Sequence, residues 1–357
     1  MKLRAILVGL LALVFASFAA AQQPIVIKFS HVVSPDSPKG RAAEKFAELA
    51  AQYTNGRVKV EVYPSSRLYG DTEELAALRS GWVQMLAPSL SKMSALGVRE
   101  FEVFDLPYIF PDRAAVLRLM DGPIGKELLK RLEPSGIVGL AYWDNGFKQM
   151  SANRPLVSAG ALVGPGTAGD GAPPIGMHRP VVTGQDFKGL KMRVQPGSKV
   201  LVAEMRALGA TPMPIPFSEV YADLKQGAVD GTENPMSNFY TQRFFRVQKY
   251  LTISDHGYLG YAVIANKKFW DGLPADVRTA LERAMQEATA YEREIAPTEN
   301  DAALAAVKQA GTTEVHVLTP EQRAAWQEAL RPVHREFESR IGGDLLRSVY
   351  EAAGSGK

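Results

Sequence analysis

Short apolar strands alternate with amphipathic helices along this chain, and that alternation constrains its fold more than any other feature. Apolar, β-branched residues at 25–33 predict a strand, and Ser37 followed by Pro38 predicts the N-cap and first turn of a helix. The strictly alternating segment 57–64 predicts a second strand. A strand-helix-strand order favours a mostly parallel sheet flanked by helices, which is an α/β fold.

The next helix and strand continue this order. Asp71 and Glu74 predict a capping box, Gly81 predicts the end of that helix, and residues 82–89 predict a returning strand.

A short repeat suggests two related halves. The sequence LRSGWVQ at 78–84 is similar to LKQGAVD at 224–230. Each is predicted to end a helix and to lead into a strand, and an alternating strand precedes each, at 57–62 and 190–195. A chain of 357 residues is also long enough for two domains. Two such halves would face each other across a cleft at the carboxyl ends of their strands.

The strand KGLKMRVQ at 188–195 carries the most informative basic residue. Side chains alternate along a strand, so one face carries Leu190, Met192 and Val194 and the other carries Lys191, Arg193 and Gln195. Taken alone, this pattern favours a half-exposed strand whose polar face contacts water; contact of Arg193 with something negative is the alternative.

One predicted helix is longer than a single half. The helical pattern extends from Pro274 to Ala310, so we expect this helix to bridge both halves. Pro297 lies deep inside it and predicts a kink or a break.

Composition and the N-terminus restrict where the protein acts. The net charge is only +3, and 46% of residues are hydrophobic, so a soluble globular protein without a nucleic-acid partner is expected. The first 21 residues have a basic start, an apolar stretch and small residues up to Ala21, which predicts a secretory signal peptide cleaved near Ala21. A retained membrane anchor is the alternative. With no cysteine in the chain, a periplasmic protein without disulfides fits.

Patterns for catalysis or for a cofactor are missing from the sequence. The five histidines are scattered without the spacing of metal ligands, and no nucleophile elbow occurs. The segment GPGTAG at 164–169 formally matches a dinucleotide fingerprint, but Pro173 and Pro174 block the helix that it needs. It belongs instead to a Gly/Pro-rich inserted loop at 154–178. No cofactor and no metal are expected.

Basic residues follow apolar strands and turns in both predicted halves. These are Lys39, Lys92, Lys148 and Arg193. Each alone reads as a solvated surface charge, but together they would line one cleft and bind an anionic small molecule. The segment 217–235 adds a predicted helix start at Ser218 and a polar group ending at Asn234. Asn234 is equally explained by satisfying backbone groups and by contacting a ligand.

Several of these segments together resemble a known family. They are IKFSHVVSPDSPKGRAAEKFAELA, EVYPSSRLYGDTEEL, MLAPSLSK, FDLPYIF, GLKMRVQ, FSEVYADLKQGAVDGTENP and FWDGLP. The chain resembles the solute-binding proteins of tripartite ATP-independent periplasmic (TRAP) transporters, and within them the branch that binds four-carbon dicarboxylates. The resemblance covers nearly all of the chain after the signal peptide.

This resemblance implies a two-lobed periplasmic-binding-protein-like fold with hinge strands. Lobe I would comprise residues 22–146 plus 260–299, and lobe II residues 147–259 plus 300–357. Arg193 matches the family's carboxylate-clamping arginine, and Phe217 and Asn234 match ligand contacts on the same lobe. Further substrate-binding residues implied by the resemblance are Lys148, Ser89, Lys92, Lys39, Asn145 and Trp143.

Two positions depart from the sialic-acid-binding relatives. Lys148 stands where they carry a second arginine, and Ser89 stands where they carry an acid; both suit a small dianion. The inserted loop lengthens the chain between Lys148 and Arg193 beyond the family pattern.

The expected function is capture of malate, succinate or fumarate by hinge closure, followed by delivery to an integral-membrane TRAP permease. We expect a monomer and no enzymatic activity. The alternatives are a periplasmic hydrolase or lyase acting on a carboxylate, and a sensory module that presents its ligand to a receptor.

Overall fold

A mixed sheet of nine strands, covered by helices, organises the part of the chain that the computed structural model describes, residues 23–157 and 186–354. The strands are β1 (Ile25–Ser30), β2 (Val58–Tyr63), β3 (Met85–Leu86), β4 (Ile137–Ala152), β5 (Lys191–Val194), β6 (Thr211–Pro214), β7 (Gly231–Asn234), β8 (Tyr250–Asn266) and β9 (Glu314–Val317). The α-helices are α1 (Pro38–Tyr53), α2 (Glu74–Arg79), α3 (Arg113–Asp121), α4 (Pro123–Lys130), α5 (Lys199–Ala207), α6 (Val220–Gln226), α7 (Met236–Thr241), α8 (Lys267–Asp271), α9 (Ala275–Ala310), α10 (Pro320–Ile341) and α11 (Gly343–Ala353). Shorter 3₁₀ segments are Leu90–Leu96, Arg99–Asp105, Glu133–Ser135 and Phe244–Arg246.

Two parallel groups of strands form the ends of this sheet. The order is β2-β1-β3-β8-β4-β7-β5-β6, with β9 paired to β8. β1 is parallel to β2 and β3, and β5 is parallel to β6 and β7. We call residues 23–136 the β1 half and residues 186–249 the β5 half. The prediction of parallel α/β halves is therefore confirmed.

The two halves share one sheet instead of having one sheet each. β4 has 16 residues and β8 has 17, and the two pair antiparallel along most of their length. Because each is long enough to reach both parallel groups, β8 pairs with β3 and β4 pairs with β7.

The repeated motif ends a helix in each half, as predicted. Gly81 follows α2 and Gly227 follows α6, with φ angles of 78° and 73°. Glycine adopts this left-handed conformation without steric cost, so it ends a helix readily. The chain then enters β3 and β7, respectively. The Ser37 cap is also confirmed, since its side chain accepts a hydrogen bond from the backbone N–H of Gly40.

The other two predicted caps are wrong. α2 begins at Glu74 with Glu73 as its N-cap, because the carboxylates of Asp71 and Glu74 bind the ammonium of Lys92 instead of capping the first turn of this helix. α6 begins at Val220 without any side-chain cap, so Ser218 does not cap it.

Helix α9 spans both halves and continues through Pro297 without a break. Its first half contributes Leu281 and Ala288 to the core around β1, and its second half contributes Ala303 and Val307 to the core around α6 and α7. This confirms the predicted bridging helix.

Arg113 compensates for the backbone N–H that Pro297 lacks. Proline in a helix leaves the carbonyl four residues earlier unpaired. That carbonyl belongs to Arg293, and Nη2 of Arg113 donates a hydrogen bond to it at 2.6 Å.

Two predicted features lie outside the described residues. They are the signal peptide at 1–21 and nearly all of the inserted loop, including its GPGTAG segment. Within residues 23–157 and 186–354, no helix is both long and apolar enough to cross a membrane.

Candidate functional site

A polar cavity lies between the β1 half and the β5 half, at the carboxyl ends of their parallel strands. Its lining from the β1 half comprises Val32, Val33, Lys39, Asp71, Pro88, Ser89, Ser91, Lys92 and Asp105. The β5 half contributes Arg193, Gln195, Leu201, Phe217, Glu233, Asn234 and Asn238, and the two long strands contribute Lys148, Leu259 and Tyr261. Four basic side chains, Lys39, Lys92, Lys148 and Arg193, therefore line one cavity, as the sequence predicts.

Arg193 reaches this cavity from β5. Met192 and Val194 on either side of it are fully buried in the core, so alternation points the guanidinium the other way. Nε of Arg193 donates to the backbone oxygen of Ile215 at 2.9 Å, and the guanidinium lies 5.6 Å from the ring centre of Phe217. Within the described residues the two terminal nitrogens have no hydrogen-bond acceptor. Arg193 is only 4% exposed, so the polar face of β5 is not solvent-exposed at this position.

Lys39 reaches the same cavity from the first turn of α1. Its Nζ donates to the backbone oxygen of Ala87 at 2.9 Å and lies 3.7 Å from the ring centre of Tyr261. Burial lowers the pKa of Lys39 to about 7, because no carboxylate in the described part of the chain forms an ion pair with it. A bound carboxylate would favour the charged form.

Lys92 is already neutralised by protein groups. Its Nζ binds the carboxylates of Asp71 and Glu74, and all three side chains are at most 5% exposed. Burial opposes the ionisation of Asp71, but the adjacent Lys92 outweighs it and holds the pKa of Asp71 below its usual value. Burial raises the pKa of Glu74. Lys92 therefore meets its counter-charge within the protein.

Lys148 is also paired. Its Nζ lies 3.1 Å from Oε2 of Glu233 and 3.7 Å from Oδ1 of Asp105. Burial opposes its charge, but Glu233 and Asp105 outweigh burial and raise the pKa of Lys148. Burial raises the pKa of the neighbouring Glu204 well above its ordinary value, and neither of its carboxyl oxygens has a hydrogen-bond partner in the described chain.

Three uncharged residues named from the sequence line the cavity. Ser89 follows β3 and its Oγ donates to Oε1 of Gln195 at 2.6 Å. Phe217 donates its backbone N–H to Oδ2 of Asp71 at 2.6 Å. Nδ2 of Asn234 donates to the hydroxyl of Thr232 at 3.2 Å.

The other two named residues, Asn145 and Trp143, are not among the cavity-lining residues. Nδ2 of Asn145 donates to the hydroxyl of the cavity-lining Tyr261 at 2.7 Å. Trp143 is fully buried beside Phe29, and its Nε1 donates to Thr289. Asn145 therefore supports the cavity wall, and Trp143 belongs to the core.

Sequence reasoning missed several lining residues. The main ones are Asp71, Asp105, Gln195, Glu233, Asn238 and Tyr261. The sequence pattern places Asp71 at a helix cap and Gln195 on the polar face of a strand. The alternation in 190–195 was the available signal for Gln195, because it places that residue on the face of Arg193.

Two α/β halves that enclose a polar cavity, joined by long strands and by one bridging helix, define the class of extracytoplasmic solute-binding proteins. The comparisons with known proteins agree. The model described as bacterial extracellular solute-binding protein, family 7, matches residues 29–164 and 167–340. The chain belongs to this family.

Similar proteins cover almost the whole chain. The C4-dicarboxylate-binding periplasmic protein DctP of Rhodobacter capsulatus is 58% identical over 347 residues, covering 97% of this chain and 96% of that protein. The 2,3-diketo-L-gulonate-binding periplasmic protein YiaO of Escherichia coli is 30% identical, covering 98% of this chain and 99% of that protein.

Solved structures of TRAP periplasmic solute-binding proteins share the fold. One from Shewanella oneidensis, with bound succinate, has a TM-score of 0.83 and 39% identity, covering 92% of this chain and 99% of that one. One from Pseudomonas aeruginosa, with bound L-malate, has a TM-score of 0.77 and 40% identity, covering 88% of this chain and 100% of that one.

Proposed function

We propose that this protein is the solute-binding subunit of a TRAP transporter and that it captures a four-carbon dicarboxylate between Arg193 and Lys39. The observation that carries the proposal is the distribution of charge in the cavity. Lys92 and Lys148 are each paired with protein carboxylates, whereas Arg193 and Lys39 form no ion pair within the described residues.

Two unpaired cations facing one cavity from opposite halves match a small dianion. Burying a cation without a counter-charge is costly, and a ligand carboxylate at each one would offset that cost. The guanidinium of Arg193 is suited to grip one carboxylate through two parallel hydrogen bonds. The ammonium of Lys39, held over Tyr261, would take the other. A monocarboxylate would leave one of these cations uncompensated.

The similar proteins support the same ligand class. The Rhodobacter capsulatus protein is named for C4-dicarboxylate binding, and the two solved structures hold succinate and L-malate. The Escherichia coli relative is named for 2,3-diketo-L-gulonate binding, so family membership alone does not select the ligand. The charge count in this cavity is what favours a dicarboxylate.

The proposed mechanism is hinge closure between lobe I, residues 22–146 plus 260–299, and lobe II, residues 147–259 plus 300–357. The three points where the chain passes between these lobes lie together. Asp144 pairs with Gly260 and Gly146 with Leu259, with a bulge between the two pairs. A Cβ atom on Gly146 would lie 3.2 Å from the side chain of Asn300. A ligand that contacts both lobes only when they are closed shifts the population toward the closed form.

The remaining parts of the proposal concern location and partners. The protein would be exported to the periplasm by its predicted signal peptide and would deliver its ligand to the integral-membrane permease subunits without chemical change. In the described residues no cluster of His, Asp and Glu could hold a metal ion.

The test is calorimetric titration of protein freed of co-purified ligand by unfolding and refolding. Succinate, malate and fumarate should bind, and lactate and pyruvate should bind far more weakly. Recovery of the dicarboxylate unchanged after hours with the protein distinguishes binding from a lyase or hydrolase activity. Equal binding of lactate and malate would refute a site in which Arg193 and Lys39 each bind one carboxylate of the ligand.

A further inference from the structure

Direct hydrogen bonds join the two halves at the edge of the cavity. Oγ of Ser89 donates to Oε1 of Gln195 at 2.6 Å, and Nε2 of Gln195 donates to Oγ of Ser91 at 2.9 Å. The two serines follow β3 in the β1 half, and Gln195 follows β5 in the β5 half. In the sheet, β8, β4 and β7 lie between β3 and β5, so these bonds cross the cleft and do not follow the strand pairing.

The chemistry of these three side chains is complementary. A glutamine amide carries one acceptor and one donor end, and a serine hydroxyl can either donate or accept. One serine donates to the carbonyl end and the other accepts from the amide end. Both serines are buried, at 5% and 4% exposure, and each hydroxyl would lose its hydrogen bond to the amide if Gln195 were truncated.

A second cross-cleft bond lies nearby. The backbone N–H of Phe217 donates to Oδ2 of Asp71 at 2.6 Å, and Asp71 is itself held by Lys92. A third bond joins the halves where Oγ of Ser198 donates to Oδ2 of Asp105 at 2.8 Å. None of these contacts uses the terminal nitrogens of Arg193 or the ammonium of Lys39.

We propose that Gln195 is a latch residue that holds the two halves closed through Ser89 and Ser91, independently of any ligand. This inference rests on the hinge closure proposed above. It predicts that the closed form is populated without ligand and that the latch slows ligand release. Gln195 is a positioning residue in this account, because it acts on the relation between the halves.

The latch is tested by measuring the distance between the halves in the ligand-free protein. The chain has no cysteine, so two introduced cysteines label specifically. Glu48→Cys on α1 and Lys225→Cys on α6 are exposed positions on opposite halves for nitroxide labels and pulsed EPR. In this background Gln195→Ala should lower the ratio of closed to open distances about tenfold, the effect of losing two neutral hydrogen bonds.

Two matched variants separate a latch from a general structural effect. Gln195→Glu keeps the length and can accept hydrogen bonds from both serine hydroxyls, so it should restore much of the closed population. Gln226→Ala removes an exposed glutamine from α6 and should leave the distances unchanged. Circular dichroism and the melting temperature verify that each variant is folded. Identical ligand-free distances in wild type and Gln195→Ala would overturn the proposal.

Adding succinate to wild type and to Gln195→Ala tests the proposed ligand separately from the latch. In wild type, succinate should shift the distances further toward the closed form, and in Gln195→Ala it should dissociate about tenfold faster. If succinate shifts neither protein, the proposed ligand is wrong, whereas the ligand-free distances still decide whether the latch exists. If succinate binds and dissociates at the same rate from both proteins, the latch has no role in retention.

Discussion

Nδ2 of Asn300 in helix α9 lies 2.8 Å from the main-chain oxygen of Asn145 in strand β4. Oδ1 of Asn300 accepts the backbone N–H of Ser237 at 2.9 Å, and the hydroxyl of Ser237 donates to Oδ1 of Asn145 at 3.0 Å. Asn145 in turn donates to Tyr261 in the cavity wall. One asparagine, a turn beyond Pro297, thus connects the bridging helix to both the crossing strands and the binding cavity.

Asn300→Ala should destabilise the protein by about 1–3 kcal/mol, because it leaves buried backbone groups of Asn145 and Ser237 unpaired. Asn300→Asp keeps the acceptor for Ser237 and loses the donor to Asn145, so its effect should be intermediate. Urea unfolding measures both. Asp301→Ala, at the next and exposed position of the same helix, is the control and should change stability by less than about 0.5 kcal/mol. A loss no greater than that of the control would show that the contact is incidental.

Arg193→Lys keeps the positive charge but loses the planar guanidinium that can form two parallel hydrogen bonds with a carboxylate. A charged hydrogen bond contributes roughly 1.5–3 kcal/mol, so malate affinity should fall on the order of tenfold to a hundredfold. Arg193→Ala should abolish measurable binding, because a ligand carboxylate would be buried without its partner. Titration calorimetry measures both, and circular dichroism should show an intact fold because Met192 and Val194 are untouched.

The control for Arg193 is on the same strand. Lys191 lies two residues earlier on the same face but is exposed, so Lys191→Ala should bind malate like wild type. Wild-type affinity of Arg193→Lys would mean that the residue does not clamp the ligand.

Ligand affinity should depend on pH through Lys39. In the ligand-free cavity burial lowers the pKa of Lys39 to about 7, and a ligand carboxylate would raise it again. Binding then takes up a proton above pH 7, and succinate affinity should fall on the order of tenfold between pH 6.5 and pH 8.5. Titrations in buffers of different ionisation enthalpy measure the proton uptake directly.

The same experiment has a specific control in Lys39→Met, which cannot take up this proton. Whatever affinity that variant retains should vary little over this pH range. An affinity that stays constant from pH 6.5 to 8.5 in wild type would exclude Lys39 as the second carboxylate receptor.

Glu204→Gln should change how stability depends on pH. Burial raises the pKa of Glu204, so the folded protein keeps a proton that the unfolded chain loses above its ordinary pKa near 4.3. Stability due to this group is therefore fully present at low pH and decreases as pH rises. The variant should be more stable relative to wild type at pH 8 than at pH 5, by roughly 1–3 kcal/mol.

Urea midpoints at the two pH values measure this difference. Glu314→Gln, at an exposed position of β9, should show no comparable change between them. An equal effect of Glu204→Gln at pH 5 and pH 8 would mean that Glu204 is ionised in the folded protein.

The sequence by itself determined the α/β class, the helix that bridges the halves and the direction of Arg193. These features depend on local rules. The strand period of two places Met192 and Val194 on one face and Arg193 on the other, and both apolar residues are buried as that period requires. The two glycines of the repeat end their helices because glycine tolerates positive φ. Interactions within a few residues suffice for each of these predictions.

Only the tertiary structure decided which cations have a counter-charge within the protein. From the sequence, Lys39, Lys92, Lys148 and Arg193 look alike, because each is a basic residue near the end of an apolar segment. Lys92 is paired with residues about 20 positions earlier, and Lys148 with Glu233 on a neighbouring strand. Burial strengthens such pairs and penalises unpaired charges, so the partner that each lysine meets across the fold determines whether it remains available. Those partners are fixed by packing between distant segments, which no local pattern encodes.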